Sequence, residues 1–68
     1  MMYFKRKDKS ADRTYVYRVI DKQVQFYHPL TKEWLHSLCS WRTVKNRKDT
    51  FHKITEKEAL EELFLVML

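Results

Sequence analysis

Glycine is absent from this sequence of 68 residues. Without glycine there is no glycine-rich phosphate loop, no dinucleotide-binding fingerprint and no nucleophile elbow. Every tight turn must be made by residues that carry a Cβ atom, and these tolerate positive φ angles less well than glycine does. The best-defined nucleotide-binding and hydrolase motifs are therefore excluded.

Cysteine is nearly absent as well: Cys39 is the only one, so no disulfide can form within a monomer. A single thiol is typical of proteins from reducing compartments. The N-terminal residues carry charge but no apolar signal-peptide core, and the apolar run 63–68 is too short to cross a bilayer. We therefore expect a soluble protein of the cytoplasm.

Candidate metal ligands and nucleophiles are few. His28, His36, Cys39 and His52 have side chains that bind zinc, but structural zinc sites usually combine paired thiolates, and this chain has one thiol. Cys39 with His36 as its base is the available pair for covalent catalysis. On one strand, however, an i, i+3 spacing would point the two side chains to opposite faces. The sequence therefore predicts no metal, no cofactor and no enzymatic activity.

Three segments have the composition and alternation of β-strands: residues 14–20, 23–28 and 33–38. Asp21-Lys22 is a two-residue turn between the first two strands, and a turn starting at Pro29 leads to the third. Because the connections are short, the strands should form an antiparallel meander. Aromatic side chains, of which there are ten, supply most of the core.

The remaining segments are less regular. Residues 40–46 fit either a short helix capped by Ser40 or a fourth strand, and we favour the helix. Residues 51–54 fit a short extended piece. Residues 1–13 are predicted to be a basic N-terminal arm that is frayed or lies on phosphates, although Tyr3 and Phe4 have the composition to dock as a short strand. Residues 14–68 would then be a single domain.

The best-signalled element is a helix that starts with a capping box, in which Thr55 and Glu58 bond each other's backbone N–H groups. A turn of 100° per residue places Glu58, Glu61 and Glu62 on one face, with Leu65 pointing outward among them as an exposed residue or a dimer contact. The opposite face is a broad apolar stripe of Ala59, Leu60, Leu63, Phe64, Val66 and Met67. The predicted fold class is α+β: an antiparallel sheet of three to four strands with this helix packed on one face.

Charge is distributed unevenly along the chain. Residues 1–54 hold thirteen of the fourteen Lys/Arg and five of the nine Asp/Glu, a net charge of +8, whereas residues 55–68 carry −3. A basic body indicates an anionic partner. The leading interpretation is a protein or nucleoprotein partner, and the alternative is direct binding of DNA or RNA. The predicted binding surface comprises Arg18, Lys32, Trp41, Arg42, Lys45, Arg47 and Lys48.

The layout resembles small phage-encoded accessory proteins. The features that carry this resemblance are the strand meander, a tryptophan after the second turn (Trp34), and a helix start with the pattern Ile-Thr-x-x-Glu-Ala, here residues 54–59. The resemblance covers most of the chain and implies a non-enzymatic protein that binds and inhibits a host machine, such as a polymerase, nuclease or defence complex, in the host cytoplasm. It identifies no target and no functional residue.

Overall fold

The computed structural model describes residues 1–8 and 13–67, with side chains up to residue 64. Within these residues the chain forms five strands and two helices. In chain order they are β1 (Met2–Asp8), β2 (Arg13–Ile20), β3 (Gln23–His28), β4 (Glu33–His36), α1 (Trp41–Asn46), β5 (His52–Ile54) and α2 (Glu56–Met67).

All five strands belong to one antiparallel sheet in the order β4-β3-β2-β1-β5. The first four follow one another as a meander, and β5 returns to pair with the free side of β1. The predicted α+β class, with an antiparallel sheet and a C-terminal helix packed on it, is confirmed. The sheet is wider than predicted because β1 and β5 add to the three strands read from the sequence.

The N-terminal segment is the main correction. Instead of a frayed arm, residues 2–8 form β1, an internal strand that pairs with β2 from Met2↔Val19 to Asp8↔Arg13 and with β5 from Tyr3 to Lys5. The charged residues after Phe4 make this strand hard to recognise in the sequence. The two faces of β1 pack against different parts of the protein, so its residues follow no simple apolar–polar alternation. The other residues of the predicted arm, 9–12, lie outside the described residues.

The two faces of the sheet carry separate cores, each covered by one helix. The α1 face presents Phe4, Tyr17, Val19 and Val24, which pack with Val44 of α1 and with Phe51. Tyr17 lies edge-on to Phe51, with ring centroids 5.1 Å apart. Since the sheet is buried on both sides, its central strands have apolar residues at successive positions such as Val16 and Tyr17.

The α2 face is covered by α2, which lies across β1 and β2. Val16, Ile54 and Ala59 form its buried cluster, and Tyr3, Trp34 and Leu63 pack around them. Ala59 is 0% exposed because its small side chain lies where the helix meets the sheet. Among the described residues, no helix is both long and apolar enough to span a bilayer.

The predicted capping box is present at the start of α2. The Glu58 N–H donates to Thr55 Oγ1 at 3.1 Å, and the Thr55 N–H donates to Glu58 Oε1 at 3.4 Å. These two bonds satisfy backbone groups that the first turn of a helix leaves without partners. Since Thr55 directly follows β5, the cap also fixes where the chain leaves the sheet.

The predicted apolar stripe of α2 is wrong in part. Leu60 and Phe64 were expected in the core but are 59% and 63% exposed. The helix buries a narrower side, represented by Ala59 and Leu63, because it contacts two strands rather than a broad sheet surface. Leu65, the predicted dimer contact, has a side chain outside the described ones, as do Val66 and Met67.

The absence of glycine has a visible consequence in the turns. Asp21 and Lys22 both have positive φ, at 49° and 66°, which is the type I′ geometry that Asn-Gly or Asp-Gly usually supplies. Lys32, in the turn before β4, has φ 59°. Each such residue costs roughly 1–2 kcal/mol relative to glycine, so the chain keeps lysine at two positions where it is locally unfavourable.

Thr55→Ala should lower the free energy of unfolding by about 1 kcal/mol, because it removes the acceptor for the Glu58 N–H. Urea unfolding followed by circular dichroism measures the change. Thr31→Ala, at an exposed turn threonine, is the matched control and should stay within about 0.5 kcal/mol of the parent. Equal losses in the two variants would show that the cap contributes nothing specific.

Candidate functional site

The predicted basic segment is organised by α1. Ser40 caps the helix by accepting from the Thr43 N–H at 3.2 Å, which confirms the helical alternative for residues 40–46. Val44, 1% exposed, anchors the helix in the core of the α1 face. Because Val44 points into the core, the polar side chains of α1 lie on the other sides of the helix. Arg42 and Lys45 are both exposed.

An apolar groove of about 310 Å³ lies between α1 and the β1–β5 edge of the sheet. Its floor consists of the buried side chains of Phe4, Val44 and Phe51. Half-buried Met2 and Trp41 form its sides, and Trp41 packs on Phe4 with ring centroids 5.9 Å apart. Its rim carries the exposed lysines Lys45, Lys48 and Lys53. We refer to these eight residues as the apolar groove.

A second cavity lies on the other side of Trp41. This basic recess, of about 400 Å³, is lined by Lys22, Trp41, Arg42, Lys45 and Asn46. Lys22 comes from the β2–β3 turn, so the hairpin and the helix supply cations to the same cavity. Trp41 and Lys45 line both cavities and form the ridge between them.

The two cavities form one basic surface. It contains five cationic side chains and one tryptophan: Lys22, Trp41, Arg42, Lys45, Lys48 and Lys53. None of the described residues that line either cavity is acidic. Like charges held this close repel each other, and an anionic ligand would relieve that repulsion. The arrangement can therefore bind anions, and in the apolar groove it can also accept an apolar side chain.

The structure brings together four of the seven residues predicted to bind: Trp41, Arg42, Lys45 and Lys48. Arg47 caps the C-terminal end of α1 and is exposed beside the two cavities without lining them. Lys32 lies at the opposite end of β3 from Lys22, and six residues of strand separate those ends by about 20 Å.

Arg18 lies on the α2 face, on the opposite side of the sheet from the basic surface. Its guanidinium carbon is 4.2 Å from the centroid of the Trp34 ring, and its Nε donates to Gln25 Oε1 at 2.6 Å. Tyr27 meets the same tryptophan edge-on at 5.4 Å. Since both its π contact and its hydrogen bond are made within the chain, Arg18 stabilises the β2–β3–β4 region of the sheet.

Sequence reasoning missed Lys53, Met2 and Phe4 as members of the site. Lys53 reaches it because β5 pairs with β1 in a register that places Lys53 beside Phe4. A local sequence pattern does not predict pairing between strands that are separated by most of the chain. The signal available in the sequence was the apolar run Met2-Tyr3-Phe4, because a strand directs successive side chains to opposite faces.

The candidate zinc ligands are dispersed. His28 Nδ1 accepts from the backbone N–H groups of Leu30 and Thr31 at 3.2 and 3.3 Å. His36 and His52 lie on β4 and β5, which are opposite edges of the sheet. In the part of the chain that the structure describes, no three His, Cys, Asp or Glu side chains are grouped as a metal site requires.

Cys39 and His36 are also separated. Cys39 packs against the core of the α1 face, whereas His36 pairs with Gln25 on the α2 face. The two groups considered as a nucleophile and its base are therefore directed to different sides of the sheet.

A second cation–aromatic cluster lies on the α1 face beyond the core. The Arg6 guanidinium carbon is 5.4 Å from the Tyr15 ring centroid and 5.9 Å from that of Tyr17. Burial raises the pKa of the Tyr17 hydroxyl above its ordinary value, and the positive charge of Arg6 opposes that shift. Arg6 is therefore held by aromatic contacts inside the fold and is not part of the basic surface.

Comparison with protein-family models, with curated proteins and with solved structures finds no match to this chain.

Lys22→Gly should stabilise the fold by about 1 kcal/mol, because glycine relieves the left-handed backbone at φ 66°. The same change should weaken binding of anions because it removes one cation from the basic recess. Urea unfolding measures the first effect, and titration with heparin, a polyanion, measures the second.

Lys32→Gly is the matched control for this variant, since it has the same charge change at φ 59° but lies away from the basic surface. It should stabilise the fold to a similar extent and leave heparin affinity within about twofold of the parent. If the two variants weakened heparin binding equally, net charge rather than the recess would account for binding.

Proposed function

We propose that this protein is a non-catalytic binding protein whose apolar groove takes an acidic segment of a host protein or nucleoprotein machine. The observation that carries the proposal is the combination of an aromatic floor with a rim of three lysines, Lys45, Lys48 and Lys53, in one groove. Binding there would inhibit the host machine by covering its acidic surface, in the manner that the resemblance to phage accessory proteins implies.

The chemistry of the groove favours a protein segment over a nucleic acid backbone. Phe4 and Phe51, 6% and 4% exposed, close the bottom of the groove. Half-buried Met2 and Trp41 supply the accessible apolar surface against which an aliphatic or aromatic side chain of a partner would be desolvated. The lysines above them would meet carboxylates. A peptide that carries both kinds of side chain satisfies floor and rim together, whereas a phosphate backbone satisfies only the rim.

The groove also has a suitable size for one anchoring side chain. Its volume of about 310 Å³ is at the lower end of the roughly 300–1,000 Å³ typical of ligand pockets. An interface built around one anchored residue and a polar rim is a common form of protein recognition. We propose that the protein acts in the host cytoplasm, with its target selected by the spacing of acidic and apolar residues.

Lys48→Glu should weaken capture of the host target at least about tenfold, because it places an acidic side chain at the rim of the groove. The measurement is affinity capture from bacterial lysate on the immobilised protein, followed by mass spectrometry and a titration with the purified captured protein. Lys32→Glu, an equal charge change at the far end of the sheet, is the control and should capture as the parent does.

Nuclease treatment of the lysate separates the two functional classes. A target that binds directly through the groove remains bound after nuclease, and its acidic segment competes when supplied as a peptide. Capture that is lost with nuclease, or that Lys48→Glu and Lys32→Glu reduce equally, would contradict the proposal.

A second candidate function is direct binding of single-stranded nucleic acid, and the basic recess is the observation that favours it. Lys22, Arg42 and Lys45 converge there beside Trp41, with Asn46 as a hydrogen-bonding group. Phosphates would contact the cations while a base stacks on the exposed part of the tryptophan ring. The half-burial of Trp41 against Phe4 limits the ring area available for such stacking.

If this second function holds, oligonucleotide affinity should fall linearly with salt on logarithmic axes, and Arg42→Ala should reduce the slope by about one. In a Trp34→Phe background Trp41 is the only tryptophan, so its fluorescence reports stacking directly. Lys32→Ala serves as the control because Lys32 is exposed at the other end of the sheet. Absence of binding at low salt would exclude this function.

A further inference from the structure

The outer side of α2 carries an apolar stripe that the fold does not use. Leu60 and Phe64 are one helical turn apart and are 59% and 63% exposed. Together with Lys57 and Glu61 they line a shallow apolar depression on the helix surface. Other apolar side chains are exposed as well, such as Leu30 at 77% and Leu38 at 106%. Leu60 and Phe64 differ in that they adjoin each other and form a continuous apolar surface that a partner can cover. We refer to Leu60 and Phe64 with their flanking glutamates as the α2 stripe.

The charges around the α2 stripe are mainly negative. Glu56 and Glu61 are exposed on either side of Leu60 and Phe64, and Lys57 is the cation beside them. Glu58 lies on another side of the helix, where its carboxylate accepts from the Thr55 N–H. The α2 stripe therefore combines apolar anchors with carboxylates. This is the combination of groups that the apolar groove, with its aromatic floor and lysine rim, is suited to bind.

We infer that the apolar groove binds the α2 stripe of a second copy of this chain. Phe64 of one copy would enter the groove over Phe4 and Phe51, and the glutamates of its helix would lie against Lys45 and Lys48. The inference uses the same groove as the proposed function, and it adds that the chain contains its own competing ligand.

The position of the two surfaces determines what kind of assembly results. The apolar groove lies on the α1 face and the α2 stripe on the helix that covers the other face, so the two surfaces belong to opposite sides of the sheet. One copy can then bind a second through its groove while its own α2 stripe remains free. Such a head-to-tail contact forms an open chain or a ring of several copies, and it predicts growth beyond a dimer.

Self-association of this kind would regulate partner binding. At high concentration the groove of most copies would be occupied by a neighbouring α2, and a target would have to displace it. At low concentration the groove would be free. The apparent affinity for a target would therefore fall as the protein concentration rises, in proportion to the fraction of occupied grooves.

Analytical ultracentrifugation of the full chain at increasing concentration tests the inference. The weight-average mass should rise continuously above the 8.5 kDa of one copy, without a plateau at a dimer, and should fall when salt is added. Two variants should each remain monomeric. One is the groove variant, Lys45→Glu with Lys48→Glu, and the other is the stripe variant, Phe64→Ser.

Mixing the two variants provides the decisive measurement. The groove variant keeps a functional α2 stripe, and the stripe variant keeps a functional groove, so an equimolar mixture should form a 1:1 complex and grow no further. Circular dichroism of each variant alone shows that it is folded; both sets of substitutions are at exposed positions.

Three outcomes would overturn the inference. The parent chain could stay monomeric to millimolar concentration. The groove variant could associate by itself, which would indicate that α2 pairs with α2. The mixture could fail to associate although both variants are folded. Each result leaves the groove available to an external target, so the proposed function is judged separately by its own capture experiment.

Lys57→Glu gives an independent gain-of-association test. Lys57 is the exposed cation next to Leu60, and its replacement makes the α2 stripe uniformly acidic. The substitution also places a negative charge in the first turn of α2, where it suits the helix dipole, so the fold should be retained. Self-association should strengthen several-fold at low salt, and weaker association than in the parent would count against the charge pairing.

Discussion

The pairing of β1 with two strands at once determines where every later element lies. β1 hydrogen-bonds to β2 on one side and to β5 on the other, and its alternate side chains enter both cores. Phe4 belongs to the core of the α1 face, and Tyr3 packs against the core of the α2 face. Because β5 is fixed against β1, Phe51 before it and Thr55 after it deliver the chain to opposite faces. Without β1 neither helix would have a complete surface to pack on.

This arrangement explains how so short a chain covers a five-stranded sheet on both sides. Neither helix is wide enough to cover its face, so aromatic side chains complete the burial: Tyr17 contacts Phe26 and Phe51, and Trp34 contacts Tyr27 and Arg18. Large rings bury more area per residue than aliphatic chains, which suits a domain with a high surface-to-volume ratio. Leu60 and Phe64 remain exposed to solvent because Ala59 and Leu63 already cover the sheet surface under α2.

Local signals were sufficient for some of this structure and insufficient for the rest. The β-branched and aromatic composition of β2, the alternation in β3, the Ser40 cap and the Thr55–Glu58 box are all determined within a few residues, and each was predicted. The sequence allowed a short strand at Tyr3 and Phe4, but the length and the internal position of β1 were not predicted. Pairing of β1 with β5 joins segments far apart in the sequence, and the lysines around Arg6 are typical of a solvated arm. The helical periodicity of α2 identifies its apolar side, but it does not tell how much of that side contacts the sheet. The prediction therefore placed Leu60 and Phe64 in the core.

In the candidate site, local helix geometry brings Trp41, Arg42 and Lys45 of α1 together, and this could be predicted. The position of Lys53 depends on the order of strands in the sheet, and this could not.

Lys22 and Lys32 both have positive φ angles, but their side chains have different surroundings. Both backbones favour glycine, and both positions hold lysine. A residue with an unfavourable backbone angle can be tied to function when its side chain does something that glycine cannot. Lys22 meets that condition, because its turn places it in the basic recess with Arg42 and Lys45. Lys32 lies among exposed turn residues at the other end of the sheet, and it lines neither the basic recess nor the apolar groove. Because Lys32 has a similar φ angle without lining either cavity, the backbone angle alone selects no functional residue. The support for the basic surface is the convergence of Lys22 with Arg42 and Lys45 in one recess.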